Sequence, residues 1–363
     1  MANKNFMHGG NIEEVSRVFG LRKDRITDFS SNVNPFAIPR GISNVIRSMI
    51  RDISGYPDRE SLTLKKALGK YLNIGAEHIV VGNGSVDIIY RTVYALKPGG
   101  GVILLPSFGE YEKALSDSGV KIKYILSEEK SNFSFSVEEI VEQAGEGDIV
   151  FLCNPNNPTG MLMPKKDLEY LTEKLRRKKA TLILDEAFID LAEEYSLVDV
   201  AVKSNNLLVL RSMTKFFGLA GLRLGYAVGR VEFIKRIQSS GQPWPVNIFA
   251  QAVGEALLQD EEFVRESKRR LLQERDFLYQ RLSQIKGLKP FQSSANFMLV
   301  KIEERLSSNQ LQARLIKHGL FIRDCSNFRG LNNKYIRIAV RRRRDNLRLI
   351  NELEVVFGKE NKK

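Results

Sequence analysis

The chain has 363 residues, 43% of them hydrophobic and 27% charged, a balance that builds a folded core and excludes a disordered or collagen-like chain. Two cysteines are too few for a disulfide framework or a four-sulfur metal site, and no apolar run approaches the roughly eighteen residues of a membrane span. The 56 Lys and Arg against 43 Asp and Glu leave a net charge of +13, which admits nucleic acid, a membrane surface or phosphorylated metabolites as partners without choosing among them.

In chain order, residues 1–10 carry no apolar stretch of the secretory kind, so a cytoplasmic protein is expected. From about 75 to 230, short runs rich in Val, Ile and Leu alternate with amphipathic stretches. The runs cover 78–81, 102–105, 122–126, 149–152, 182–184, 207–210 and 224–228, and helical patterns lie between them, as at 85–94 and 166–178. Each run is strand length and nearly continuous in apolar character, as in strands buried on both faces. The expectation is an α/β domain with a mostly parallel central sheet and helices on both faces. The segment 247–285 reads as a long helix or helix pair. Three more strands follow at 297–300, 320–323 and 335–340, with helices between them, as a smaller α+β domain. The expected division is an N-terminal arm and part of the small domain at 1–45, a large domain at 46–250 and a small domain at 251–363. The arginines at 341–344 read as a solvated helix face and the Lys-rich end as a frayed tail. With no zinc-finger spacing, RNP signature or basic heptads, nucleic acid is not expected as a partner, nor is a membrane.

Polar residues stand at the ends of these apolar strands. The run 182–184 leads into Asp185 and Glu186, and a buried carboxylate there costs several kcal/mol unless it meets a cation or donor. The run 207–210 leads into Arg211, Ser212, Thr214 and Lys215, with Gly218, Gly221 and Gly225 close behind. A third strand ends in the Asn-Pro-Asn-Asn-Pro-Thr-Gly loop at 154–160. A fourth ends in Gly82-Asn83-Gly84-Ser85 and opens a helix, a site ready for a phosphate. Strand ends of an open α/β sheet are where ligands bind. A carboxylate, a lysine, amides and a phosphate nest converging there match the needs of pyridoxal phosphate.

These motifs resemble the class I/II aminotransferase family, the fold-type-I enzymes that use pyridoxal phosphate. The resemblance is carried by Asn-Pro-x-Asn-Pro-Thr-Gly at 154–160, Asp-Glu-Ala at 185–187 and Ser-x-Thr-Lys-x-x-Gly-Leu-Ala-Gly-x-Arg-x-Gly at 212–225. It implies that Lys215 binds the cofactor aldehyde and shuttles the proton, and that Asp185 holds the proton of the pyridinium nitrogen. Asn157 is implied as donor to the ring oxygen. Ser212, Thr214 and Arg223, with the helix start Gly84-Ser85-Val86, are implied to hold the phosphate. Tyr111 is implied to stack on the ring, with Phe108 as the alternative. Tyr56 is implied to reach the cofactor phosphate of a neighbouring subunit, hence a homodimer. Arg337 is implied as the clamp on the substrate carboxylate, where bidentate pairing favours a guanidinium. Arg211 and Glu186 read as structural partners and Cys153 as inert core.

Within the family, histidinol-phosphate aminotransferases and threonine-phosphate decarboxylases lie close. His8-Gly9-Gly10-Asn11, Phe188 after Asp-Glu-Ala, Gln242-Pro243-Trp244-Pro245-Val246-Asn247 and the 321–331 segment are more similar to the decarboxylase group. An N-terminal arm of that composition is otherwise a frayed end. The resemblance implies Arg323 on the substrate phosphate, helped by His8 and by Ser31 or Asn32, and a phosphorylated amino acid as substrate. It implies decarboxylation, with aminotransfer as the alternative, and no metal.

Overall fold

A computed structural model describes residues 9–36, 38–39 and 41–360. The first strand is β1 (Thr27–Asp28). The seven apolar runs become β2 (Ile79–Asn83), β3 (Gly101–Leu105), β4 (Ile122–Leu126), β5 (Ile149–Cys153), β6 (Thr181–Asp185), β7 (Leu207–Ser212) and β8 (Leu224–Gly229). They form one sheet in the order β2-β8-β7-β6-β5-β3-β4, parallel except for β8, which runs antiparallel to both neighbours. Every residue of β3, β5 and β7 is buried, because helices cover both faces. One apolar cluster, including Val150, Leu182, Leu184 and Val209, lies on one face. A second, including Ile103, Phe151, Ile183 and Leu208, lies on the other. The alternation of inward and outward residues along each strand assigns them to opposite clusters.

The 247–285 segment is a pair of helices, Ile248–Gln259 and Glu261–Ser283. Asp260 divides them, because its side chain accepts from the Phe263 N–H at 2.9 Å and starts the second helix. Beyond them come β9 (Leu288–Pro290), β10 (Phe297–Ile302), β11 (Leu320–Phe321), β12 (Arg323–Asp324) and β13 (Tyr335–Ala339). An antiparallel sheet in the order β12-β13-β10-β9 is built from four of these, while β11 pairs in parallel with β1. The single strand expected at 320–323 is thus two, because the chain changes partner at Ile322. Phe29 shares a core with Leu278, Met298, Ile336 and Leu353, so the residues after β1 pack with the C-terminal elements.

Two links join β4 and the segments on either side of it to the four-stranded sheet and its β12–β13 loop. Glu129 accepts from Lys289 of β9, Lys301 of β10 and Tyr335 of β13, each at 2.7 Å. Arg329 pairs with Glu112 at 3.0 Å and stands 4.3 Å from the Tyr124 ring centroid. Among the arginines at 341–344, Arg342, Arg343 and Arg344 are exposed and Arg341 is half-buried. Arg342 donates to the Pro35 carbonyl at 2.8 Å, Arg343 pairs with Glu274 at 3.0 Å, and Arg341 has a buried Nε.

Candidate active site

Four strand ends of the large sheet meet the small sheet at one place. At the end of β6, Asp185 is buried, and its Oδ1 accepts from the Ala187 N–H at 2.9 Å while its Oδ2 accepts from the Tyr111 hydroxyl at 2.5 Å. Burial pushes its carboxyl above the usual range, against the Tyr111 hydroxyl, the Ala187 N–H and the Lys215 charge. Lys215 follows β7, with Nζ 5.7 Å from the Phe188 ring centroid. Burial, then the positive charges of Arg337 and Arg223, bring the ammonium down to about 8 against the pull of Asp185. An amine in that range both gives and takes a proton near neutrality.

Beside it, Ser212 Oγ and Thr214 Oγ1 lie 2.7 Å apart. The helix Ser85–Leu96 begins here, with Gly84 at φ 83° and Ser85 and Val86 half-buried in its first turn. A Cβ on Gly84 would come within 2.8 Å of Arg223 Nη2, and one on Gly225 within 2.2 Å of the Ser85 nitrogen. Glycine at both positions lets the Arg223 guanidinium and the helix start share one cradle. Two hydroxyls, a guanidinium and free helix N–H groups suit a phosphate.

From the small sheet, Arg323 of β12 and Arg337 of β13 stand directly opposite each other, 5% and 6% exposed. Arg337 Nη1 donates to Asn157 Oδ1, and Nη2 donates to the Ser30 carbonyl at 2.7 Å. Arg323 donates to Asn327 Oδ1 at 2.8 Å and stands 5.2 Å from the Phe328 ring centroid. Burial lowers both guanidinium groups, Arg337 to about 10, where the Arg323 charge pushes the same way. Asn32 is buried with no partner for Oδ1, as is Arg337 Nε. Buried polar atoms left open in this way are the mark of a site for a polar ligand.

The cluster brings together Gly84, Ser85, Asn157, Asp185, Ser212, Thr214, Lys215, Arg223, Arg323 and Arg337. Tyr56 is placed differently, 82% exposed and stacked on Trp244 at 4.5 Å. His8 lies outside the described residues. The expectation that Tyr111 offers its face to a ring is corrected. Its ring is wholly buried and stacked on Phe151 at 4.9 Å, so its face is already covered and its hydroxyl serves Asp185. Phe108, half-buried where its helix begins, meets the Tyr111 ring edge to face at 5.7 Å. Arg211 and Glu186 pair with each other at 2.8 Å in the core. Among the described residues no cluster of three His, Cys, Asp or Glu side chains could hold a metal ion.

Over residues 24–353 the chain matches the family described as Aminotransferase class I and II. The chain belongs to that family. Within it, a threonine-phosphate decarboxylase of Salmonella typhimurium is 35% identical over 98% of each chain. A histidinol-phosphate aminotransferase of Clostridium acetobutylicum superposes with a TM-score of 0.86 at 31% identity, over 91% of this chain and 99% of that one. An L-threonine-O-3-phosphate decarboxylase of Porphyromonas gingivalis superposes at 0.80 and 26% identity, over 90% and 98%. The architecture is therefore fold type I, α/β with a mostly parallel large sheet. The donor set fits the family's pyridoxal phosphate. Its buried carboxylate, neutralisable lysine and phosphate cradle are the three partners that cofactor needs.

Proposed function

We propose that the chain is a pyridoxal-phosphate-dependent decarboxylase acting on L-threonine O-3-phosphate to give (R)-1-amino-2-propanol O-2-phosphate for cobalamin biosynthesis. It works in the cytoplasm as a homodimer in which Tyr56 of each subunit reaches the other's cofactor phosphate. The observation that carries this reading is the Arg323–Arg337 pair. Like charges directly opposite in a dry sheet repel, and a ligand with two anions relieves both at once. A phosphorylated amino acid brings a carboxylate and a phosphate. The 35% likeness to the Salmonella typhimurium decarboxylase supports the same choice.

In this reading Gly84, Ser85, Val86, Ser212, Thr214 and Arg223 hold the cofactor phosphate, Asn157 its ring oxygen, Asp185 its ring-nitrogen proton, and Phe108 its ring face. When bound, pyridoxal phosphate supplies an electron-withdrawing ring that accepts the electron pair left by departing carbon dioxide. Arg337 and Arg323 fix the carboxylate and the phosphate, and these two anchors, with Asn32, set the direction of the Cα–carboxylate bond. Lys215 then delivers a proton to Cα, so the substrate loses carbon dioxide and gains one hydrogen. Aminotransfer from histidinol phosphate is the alternative, favoured by the 31% identity to the Clostridium acetobutylicum enzyme. Both arginines would then share a single phosphate.

Arg323→Met in the cofactor-loaded enzyme tests the two-anion reading. Removing one charged donor pair should lower kcat/KM for L-threonine O-3-phosphate about ten- to hundredfold. Unchanged kcat/KM would rule Arg323 out as a substrate anchor.

A further inference from the structure

The Arg337 guanidinium has two settled acceptors, Asn157 Oδ1 and the Ser30 carbonyl, and its Nε has none. Those two acceptors fix the plane of the fork, and that plane decides whether the remaining N–H groups meet a carboxylate side-on. Ser30 is therefore part of how Arg337 is aimed. It is wholly buried and doubly held, since its N–H and its hydroxyl both donate to Asp28 Oδ1, at 2.8 and 2.6 Å. Asp28 lies opposite Phe321 in the β1–β11 pair, and the Phe29 carbonyl accepts from the Ala339 N–H at 2.9 Å. Residues 28–30 are thus stitched to the strand that carries Arg337.

The other side of Ser30 meets the N-terminal arm. The Gly10 N–H donates to Ser30 Oγ at 2.9 Å. A Cβ on Gly9 would stand 2.2 Å from the Ser30 carbonyl oxygen and 2.8 Å from its carbon. Backbone meets backbone there, so no side chain can swing aside to make room. Any residue but glycine at position 9 must either lift the arm or displace the carbonyl that Arg337 uses. Gly10 is constrained separately, by φ at 86°.

We infer that Gly9, Gly10 and Ser30 form a positioning relay, braced by Asp28, that couples docking of the N-terminal arm to the carboxylate grip of Arg337. The relay rests on the role proposed above for Arg337. Coupling is reciprocal: a bound carboxylate that draws Arg337 into place also holds Ser30 and favours the docked arm. A docked arm in turn pre-aims Arg337, so ligands with a carboxylate gain more from it than ligands without one.

The test uses cofactor-loaded wild type, Gly9→Ala and Ser30→Ala, with 3-phosphonopropionate and propylphosphonate as probes. The two differ only by the carboxylate, and neither has an amine to react. Dissociation constants and hydrogen–deuterium exchange at the Gly10 amide are both read. In wild type, 3-phosphonopropionate should bind more tightly and slow the exchange, and propylphosphonate should not slow it. Gly9→Ala should reduce the preference for the carboxylate about tenfold, with propylphosphonate binding unchanged. Ser30→Ala keeps the carbonyl and loses only the hydroxyl, so it should speed exchange at Gly10 and reduce the preference less. A wild-type preference that survives in Gly9→Ala, or exchange indifferent to the carboxylate probe, would overturn the relay. Absence of any preference in wild type would instead remove Arg337 as a carboxylate clamp, and with it both the relay and the proposed substrate.

Discussion

At the scale of single residues, Lys215 and Asp185 define each other's chemistry. Burial and two neighbouring guanidinium groups hold the Lys215 ammonium near 8 instead of 10.5. A folded value below the unfolded one means that charging this lysine opposes folding: the penalty is full below about 8 and disappears as pH rises through 10.5. The neutral amine is the form that captures an aldehyde. Association of pyridoxal phosphate with the cofactor-free protein should therefore rise about tenfold per pH unit below the inflection and level off above it. Stopped-flow absorbance reads this directly, and an inflection near 10.5 would contradict the burial account. Tyr111 supplies a donor that favours the ionised form of Asp185. Tyr111→Phe should weaken cofactor binding, with a cost of about 1–3 kcal/mol for the unmade bond, measured as a dissociation constant. Asp185 and Lys215 were legible in the sequence, because charged groups at the ends of buried strands stand out. The role of Tyr111 was not. Phe108 and Tyr111 lie three apart at the start of one helix, and which ring faces the open side depends on packing against Phe151.

At the scale of elements, the seven strands of the large sheet announce themselves by continuous apolar character. β1 and β9 do not, being two and three residues long with no apolar run of their own. β1 depends on a partner at the far end of the chain, where Thr27 pairs with Leu320, and β9 exists only as the short edge that the nearby β10 holds, Lys289 against Lys301. The cross-strand facing of Arg323 and Arg337 belongs to the same class, since register is invisible until β12 and β13 are paired. Glu129 shows what joins the elements. Burial disfavours its charge, but bonds from Lys289, Lys301 and Tyr335 outweigh that and hold it down at about 2. A folded value below the ordinary 4.5 contributes stability that is present above about 4.5 and lost as pH falls toward 2. Glu129→Gln should destabilise the protein by about 2 kcal/mol near neutral pH, and the difference from wild type should shrink as the solution is acidified. Denaturant titration at several pH values checks both the size and the sign. An equal effect at every pH would mean that the carboxylate's charge is not what joins the sheets.

At the scale of the whole molecule, two sheets from distant parts of the chain build one site. The large sheet brings a carboxylate, a lysine and a phosphate cradle, and the small sheet brings two facing arginines, which in the proposed function take the substrate's anions. Motif spacing made the first set readable and pointed to the family, and the resemblance named Arg323 and Arg337; that the two face each other across β12 and β13 required the fold. The excess of positive charge that opens the sequence finds part of its use here, since Arg223 and Arg337 act on Lys215 and Arg323 acts on Arg337. The central claim is that this arrangement breaks the bond to the carboxylate and leaves the amine in place. The direct measurement supplies purified, cofactor-loaded protein with L-threonine O-3-phosphate and no keto-acid acceptor, and counts carbon dioxide against 1-amino-2-propanol O-2-phosphate. The account predicts sustained release of both in equal amounts, abolished in Lys215→Ala. No carbon dioxide, with amine passing from histidinol phosphate to 2-oxoglutarate instead, would contradict it.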